Sequence, residues 1–281
     1  MSKIIDITGD EFRRMQLLEL DMLVQLDQLC RKHDIKYVIF CGSLLGAVRH
    51  KGFIPWDDDI DVCMLREEYE KFKLVANELD QSICYFQDHS TDPYYRWGYG
   101  KLRRTGTTFI RAGQEHLKCK TGVFIDIFPM DDIPKSVIGQ MLNDFHSFVL
   151  RKFLWSEVGK YSDNIGFLER TCYRIMSKRP VEKTFRDFER MIRRSNNHSD
   201  NRVRLALFQA FGKEFTKQPL PERYGMPKKW FLERKEFEFE GHMFYGTADF
   251  HAALTYLYDD YMTLPPEDKR DPHSPVSSYS F

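Results

Sequence analysis

The sequence predicts an α+β protein, with a mixed sheet at its core and a mainly helical C-terminal half. Three observations predict this class: a long amphipathic helix near the start, short apolar runs between residues 37 and 128, and a stretch over 136–194 without strand candidates. With 281 residues, 42% of them apolar, the chain can bury a large core, which excludes an intrinsically disordered protein. We expect a core over residues 1–135 and a mainly helical region over residues 136–281 packed on it.

The charge balance and the cysteine content argue against a nucleic-acid-binding protein and against a disulfide-bonded one. Forty-two Lys and Arg balance forty-two Asp and Glu, so there is no basic surplus for binding nucleic acid through its phosphates. None of the six cysteines stands in a Cys-x-x-Cys pair, which favours reduced thiols. The first ten residues hold no apolar stretch typical of a signal peptide, and no run is long enough to span a membrane. We therefore expect a cytoplasmic protein.

The first elements surround a glycine pair. Apolar residues recur every three or four positions over Gly9–His33 and predict a helix, and the apolar run Tyr37–Cys41 predicts a buried strand. Gly42-Ser43 ends that strand, and a short helix is expected over residues 44–49. Acidic and apolar residues then alternate up to Met64, which predicts a strand with one buried face.

Helices and short strands make up the rest. A charged amphipathic helix is expected over 67–79, and aromatic or β-branched runs predict strands over 83–86, 95–103, 107–111 and 122–128. Residues 136–194 read as helical throughout. A Pro/Gly-rich stretch over 219–227, a hairpin over 237–245 and a helix over 248–262 follow.

The densest chemical signal is an acidic run. Four aspartates fall within the five positions 57–61 and repel one another unless cations neutralise them. Asp59 and Asp61 are two apart on the predicted strand, so both carboxylates leave one face and could hold Mg²⁺ or Mn²⁺. Asp126, a single acid in an apolar strand, is the candidate third ligand or general base. The alternatives are a solvated acidic turn for the run and a buried salt bridge for Asp126.

The glycine pair could bind phosphate. Gly42 and Ser43 lie between a strand and a helix, where backbone N–H groups, a serine hydroxyl and the helix dipole attract an anion. The cations Arg49, His50 and Lys51 lie between this turn and the acidic run. A metal and this turn would then neutralise a nucleotide diphosphate from two sides.

The run from Gly42 to Val62 closely resembles the signature of the LicD-type phosphotransferases, a family of the nucleotidyltransferase superfamily that includes the fukutin-related proteins. Residues 100–103, 122–129 and 260–266 also resemble that family. The resemblance implies a polymerase-β-like fold, with Gly42-Ser43 as the phosphate turn and Asp59 and Asp61 as the metal pair. We expect residues 1–135 to form the catalytic core and residues 136–281 to lie on the acceptor side.

The activity that this resemblance implies is transfer of phosphocholine, or a related alcohol phosphate, from a CDP-activated donor such as CDP-choline. The acceptor would be a hydroxyl of a cell-surface glycan or of its lipid-linked precursor, handled at the inner face of the cell membrane. Two alternatives remain open: a glycosyltransferase that binds a nucleotide sugar through Asp-x-Asp, and a non-catalytic protein that binds divalent cations. The sequence predicts no oligomeric state.

Aromatic and basic side chains are candidates for binding such a donor. A quaternary ammonium binds to aromatic faces, which Tyr95, Trp97 and Trp56 could supply, although core packing is the alternative. Lys101 and Arg103 share one face of a predicted strand and could contact donor phosphates. Surface salt bridges are the alternative for these two cations.

Overall fold

The structure is a computed structural model that describes residues 4–162, 165–196, 199–207, 225–270 and 275–281. The helices are α1 (Gly9–Lys32), α2 (Cys41–Arg49), α3 (Arg66–Val75), α4 (Val137–Gly159), α5 (Phe167–Met176), α6 (Val181–Asn196), α7 (Lys229–Leu232) and α8 (Phe250–Tyr258). The strands are β1 (Val38–Ile39), β2 (Asp61–Leu65), β3 (Cys84–Gln87), β4 (Gly100–Arg104), β5 (Thr108–Arg111), β6 (Phe124–Pro134), β7 (Ser199–Arg204), β8 (Met226–Pro227), β9 (Arg234–Phe239), β10 (His242–Thr247) and β11 (Val276–Ser280).

A mixed sheet forms the centre of the molecule, as predicted. Its strands run in the order β3-β4-β6-β2-β1-β10-β9, and β7, which pairs with β8, also pairs with β6. The pairs β2–β6 and β1–β10 are parallel, whereas β1–β2, β4–β6 and β9–β10 are antiparallel. Strands β5 and β11 form a separate antiparallel pair.

Both faces of this sheet are buried. Successive strand residues point to opposite sides, so neighbours along a strand pack into different cores. Ile39 and Val62 belong to the core beneath α1, where Leu23 and Leu26 are also fully buried. Their neighbours along the chain pack on the other side: Val38 lies in a second core with residues of α2, α7 and α8. The predicted first helix is therefore confirmed, and its apolar stripe covers the sheet.

Several predicted strands differ from the observed ones. The strand expected over Tyr37–Cys41 spans only Val38–Ile39, because helix α2 already begins at Cys41. Strand β2 begins at Asp61, so Asp59 lies in the preceding loop and does not share a strand face with Asp61. Residues 95–99 precede β4 because the N–H of Tyr95 donates to the carbonyl of Asp92 at 3.0 Å and forms a turn. Strand β6 continues past the expected end to Pro134, since β7 pairs with its last residues.

The C-terminal half combines helices with sheet strands. Helices α4, α5 and α6 confirm the helical prediction for 136–194, and the hairpin β9–β10 confirms the one for 237–245. That hairpin joins the central sheet through β1, so residues on both sides of position 135 build one sheet. Residues 219–224 of the Pro/Gly-rich stretch lie outside the described residues. Among the described helices, none is both long enough and apolar enough to cross a membrane.

Candidate active site

The acidic run forms a compact group of carboxylates in the loop before β2. Oxygens of Asp57, Asp58 and Asp59 lie within 4.8 Å of one another. Asp57 and Asp58 are buried and Asp59 is half-buried. The N–H of Asp57 donates to the carbonyl of Ile54 at 2.9 Å, and the side-chain amide of Gln16 donates to the carbonyl of Asp57 at 3.0 Å. This loop is therefore anchored to its own turn and to α1.

The glycine pair lies directly against this loop, in the first turn of α2. A Cβ atom at Gly42 would overlap the carboxylate of Asp57, so only glycine fits at this position without displacing that side chain. The hydroxyl oxygen of Ser43 accepts a hydrogen bond from the N–H of Asp61 at 2.8 Å. Ser43 thus links α2 to β2, and its own hydroxyl proton could still be donated to a phosphate.

A row of four polar residues crosses the sheet beside the loop. Asp61 of β2 pairs with Asp126 of β6, Asp126 pairs with Lys101 of β4, and Lys101 pairs with Gln87 of β3. Cross-strand partners project from the same face, so these side chains are neighbours. The ammonium of Lys101 forms a buried ion pair with Asp126. The salt bridge considered for Asp126 is therefore present.

Burial and mutual repulsion shift the pKa values in this group. Burial raises the pKa of Asp57 to about 8, assisted by Asp59 and Asp58. Burial, then Asp59 and Asp126, raise the pKa of Asp61 well above its ordinary range. Each shift reflects the cost of several negative charges in a site that excludes water. A bound cation would offset that cost.

One further acid near the site, Glu19, was not predicted from the sequence. Glu19 of α1 is buried, and its Oε2 atom has no hydrogen-bond partner among the described residues. Burial raises the pKa of Glu19, and the carboxylates of Asp59, Asp58 and Asp57 raise it further. A signal was present in the sequence, because Glu19 lies four residues after Met15 on the apolar stripe of α1.

The three clustered carboxylates of the acidic loop therefore fit a divalent cation. Asp57, Asp58 and Asp59 supply three oxygen ligands within a small volume, the donor type that Mg²⁺ and Mn²⁺ prefer. Glu19 adds a buried carboxylate oxygen within electrostatic reach. The metal ligands predicted from sequence were Asp59, Asp61 and Asp126. Of these, Asp59 lies in the group of three, whereas Asp61 and Asp126 lie on β2 and β6, and Asp126 is paired with Lys101.

A cavity of about 290 Å³ opens beside Gly42 and Asp57. We call it the α2 cavity; its lining also includes Arg49, Trp56, Tyr258, Asp260, Tyr261 and Lys269. The guanidinium of Arg49 donates to the carbonyl of Tyr261 at 2.7 Å, and that of Arg270 lies 5.2 Å from the ring of Trp56. The predicted residues Arg49 and Trp56 thus meet the acidic loop. The motif at 260–266 lines the same cavity, a role that its sequence did not indicate.

His50 and Lys51, the other two cations predicted between the glycine pair and the acidic run, do not line the α2 cavity. The ring of His50 packs edge-on against Trp56 at 6.4 Å, and burial, with Arg49 nearby, lowers the pKa of His50. Lys51 is exposed, and its carbonyl accepts a hydrogen bond from the N–H of Glu240 at 2.8 Å. Lys51 also has a φ of 59°, so its backbone forms a tight turn here.

A second cavity, of about 300 Å³, is lined in part by Tyr99, beside Lys101 of the polar row. We call it the α4 cavity; its lining includes Arg96, Trp97, Tyr99, Arg111, Arg151 and Trp155. The ammonium of Lys101 lies 5.3 Å from the ring of Tyr99 and so connects this cavity to Asp126. Three arginines make the lining strongly basic. The predicted residue Trp97 lies here, away from Trp56.

Two predicted binding residues are internal. Tyr95 has no exposed surface and packs against Trp97 with ring centroids 5.1 Å apart, so it offers no face to a ligand. The guanidinium of Arg103 donates to the side chain of Gln87 at 2.7 Å and to the carbonyl of Gly122 at 2.8 Å. These contacts fix β4 to its neighbours. Arg103 nevertheless lines a narrow cleft together with Lys101 and Arg111.

Comparison with known proteins shows which family the chain resembles. Residues 34–156 match the LicD/FKTN/FKRP nucleotidyltransferase domain. The chain is 30% identical over 275 residues to the lipopolysaccharide cholinephosphotransferase LicD of Haemophilus influenzae, covering 95% of this chain and 97% of the relative. Uncharacterized proteins of Rickettsia prowazekii and Rickettsia typhi are 30% and 44% identical over 145 and 149 residues, about half of this chain. They match 49% and 41% of those proteins' own lengths.

Proposed function

The chain belongs to the LicD family, and from this membership we propose that it transfers phosphocholine, or a related alcohol phosphate, from a CDP-activated donor to a hydroxyl of a cell-surface glycan or its precursor. The supporting observation is the group of three carboxylates, Asp57–Asp59, that faces Gly42 at the start of α2. The mixed sheet that carries this group is consistent with a polymerase-β-like nucleotidyltransferase fold.

We assign the metal to the acidic loop. Mg²⁺ or Mn²⁺ would be held by Asp57, Asp58 and Asp59, and when bound it would neutralise charge on the donor diphosphate. Glu19 lies behind these residues and adds a negative charge that favours a divalent cation. Gly42 leaves the space that the Asp57 carboxylate occupies, so it sets the position of that ligand.

We assign the CDP-activated donor to the α2 cavity. Arg49 and Lys269 lie there and can pair with phosphate oxygens, whereas Trp56 offers an aromatic face. A quaternary ammonium is attracted by aromatic faces and by nearby carboxylates such as Asp260. The α4 cavity suits it less well, because three arginines would repel a cation. The donor therefore lies on the side of Asp57.

The glycan acceptor is assigned to the α4 cavity, which lies beside Lys101 of the polar row. Trp97, Tyr99 and Trp155 can pack against sugar rings there, and Arg111 and Arg151 can pair with an anionic substituent. Lys101 lies near Tyr99 of this cavity and is paired with Asp126, the cross-strand neighbour of Asp61. In-line displacement requires the acceptor hydroxyl to approach the phosphorus from the side opposite to the leaving group, and we place the acceptor on that side.

In the proposed reaction, the acceptor oxygen bonds to the β-phosphorus and the bond from that phosphorus to the bridging oxygen breaks, releasing CMP. The hydroxyl proton passes to a carboxylate of the row. We assign it to Asp61, which is partly exposed, in place of Asp126, which is buried and paired with Lys101. Asp126 then holds Lys101 in position, where the ammonium can stabilise charge on the phosphoryl group.

A calorimetric titration separates this proposal from its alternatives. With Mg²⁺ present, CDP-choline, CDP-ribitol, UDP-glucose and CMP are titrated in turn. Binding of a CDP-alcohol and of CMP, without binding of UDP-glucose, is the expected result. Preferential binding of UDP-glucose would instead indicate a glycosyltransferase. Metal binding without any nucleotide affinity would indicate a non-catalytic cation-binding protein.

Substitution of the carboxylates tests the catalytic assignment. Asp57→Asn and Asp59→Asn should each lower phosphocholine transfer from CDP-choline by about 100-fold or more, because each removes a charged metal ligand. Asp34→Asn is the matched control: Asp34 is exposed after α1 and has a φ of 50°, a conformation that asparagine tolerates. Near-normal turnover in the first two variants would overturn the assignment.

A further inference from the structure

Helix α4 leaves one apolar face uncovered by the described residues. Ile138, Leu142 and Phe145 are 72%, 65% and 67% exposed, and Met141 is exposed between them. Their spacing of three, four and seven residues places them on one side of the helix. Phe148 continues the same side. We call these five residues the α4 stripe.

The opposite side of α4 is already packed. Leu150 and Leu154 are buried with residues of α6 in the third apolar core of the protein. A helix at the surface of a soluble domain normally presents polar residues opposite its buried side. Helix α4 is instead apolar on both sides, so the stripe is not explained by packing within the described chain.

Helix α5 extends the uncovered surface. It packs on the later part of α4, where its Tyr173 contacts Gly159 and accepts a hydrogen bond from Lys152 at 2.8 Å. The other side of α5 is apolar and open: Phe167 and Leu168 are 78% and 80% exposed. Two neighbouring helices thus present large apolar side chains outward.

Basic residues accompany this surface. Residues 135–179 contain eight Lys and Arg against four Asp and Glu, a surplus of four positive charges in a chain with no net charge. Lys135, Arg174 and Lys178 are exposed. Exposed apolar side chains with adjacent cations are the composition that binds the surface of an anionic bilayer. Two copies of this basic surface would repel each other, which disfavours a symmetric dimer here.

We infer that the α4 stripe and the exposed face of α5 dock the protein on an anionic lipid bilayer, with the apolar side chains in the interfacial layer. This surface goes beyond the proposed transfer reaction and does not depend on it. Residues Arg151, Leu154 and Trp155 of the same helix line the α4 cavity. Docking through the α4 stripe would therefore bring the helix that lines this cavity to the membrane surface.

Vesicle flotation tests this inference with the full chain. The wild-type protein should float with vesicles of phosphatidylglycerol and phosphatidylcholine, and bind vesicles of phosphatidylcholine alone far more weakly. A variant with Ile138→Ser, Leu142→Ser and Phe145→Ser should bind the anionic vesicles about tenfold or more weakly. Because these residues are exposed, its thermal unfolding should stay close to that of the wild type. Leu74→Ser, which removes an 81% exposed leucine from α3, is the matched control and should bind normally.

A second variant tests the contribution of the exposed basic residues to vesicle binding. Arg174→Gln with Lys178→Gln should weaken binding to anionic vesicles and reduce its dependence on salt. Three results would overturn the inference: no flotation of the wild type, equal binding to neutral and anionic vesicles, or full binding by the triple serine variant. A concentration-dependent dimer that the triple variant abolishes, without vesicle binding, would show that the surface is a protein interface instead.

Discussion

The hydroxyl oxygen of Ser43 lies 2.8 Å from the backbone nitrogen of Asp61 and accepts its N–H, which ties the first turn of α2 to the first residue of β2. Asp61 in turn accepts, through its carbonyl, a hydrogen bond from the N–H of Phe40 at 3.0 Å. These bonds hold the glycine pair and the acidic run at a fixed separation, although Ser43 and Asp61 are eighteen positions apart in the sequence.

Ser43→Ala should lower the free energy of unfolding by about 1–2 kcal/mol, because it leaves the Asp61 amide without its buried acceptor. Transfer activity should also fall, since the acidic loop loses its link to α2. Chemical denaturation in urea measures the first effect. Ser82→Ala, which removes an exposed hydroxyl bound to Asp80, should cost less. Equal stability of the Ser43 variant and the wild type would contradict this prediction.

Gly42→Ala should leave the protein folded but lower the transfer rate by about 100-fold or more, because the added methyl group displaces the Asp57 carboxylate. Steady-state kinetics, together with a Mn²⁺ titration, measures both activity and metal affinity. Gly166→Ala is the control: that glycine precedes α5, and a Cβ there meets open space. If both alanine variants kept full activity, the close approach of Gly42 to Asp57 would have no functional role.

Asp126→Asn should destabilise the protein by up to about 3–5 kcal/mol, because Lys101 loses its counterion and must either stay charged while buried or lose its proton. Burial, with Arg103 and Arg111 nearby, already lowers the pKa of Lys101 to about 7 despite its pairing with Asp126. The double variant Lys101→Met with Asp126→Leu should regain much of the lost stability while staying inactive. Thermal unfolding measures the change in stability, and transfer assays measure the change in activity. A stable Asp126→Asn protein would contradict the role of this pair.

The pH dependence of stability should report on Glu240. Its hydrogen bonds from Arg13, and then from the N–H of Phe53, lower its pKa, so the folded state favours the charged form. The stabilisation is present above the ordinary pKa of about 4.3 and is lost as the pH falls through the lower value of the folded state. Glu240→Gln should therefore cost up to about 1 kcal/mol at pH 7 and almost nothing near pH 3.

Urea unfolding at both pH values measures this difference for Glu240→Gln. Glu238→Gln provides the comparison, since Glu238 is exposed on β9, two residues before Glu240. A cost that is equal at pH 3 and pH 7 would show that the Glu240 side chain stabilises through packing and not through its charge.

Much of the fold could be predicted because its signals are local. Helix α1 follows from a period of three to four residues, and the hairpin β9–β10 follows from two β-rich runs around Gly241. The limits of β2 were less well predicted: the alternation of acidic and apolar residues continues back to Asp59, whereas strand pairing begins at Asp61. Pairing depends on the partner strand β6, which a local pattern does not contain.

The sequence by itself determined that a glycine turn and a cluster of aspartates occur together, because both lie within about twenty positions of the chain. Only the tertiary structure decided which carboxylates meet. It placed Asp57–Asp59 in one group, paired Asp126 with Lys101, and brought in Glu19 from α1 and Tyr261 from the C-terminal region. The physical reason is that ligand sets and ion pairs depend on distances in space, and those distances are set by strand order and helix packing.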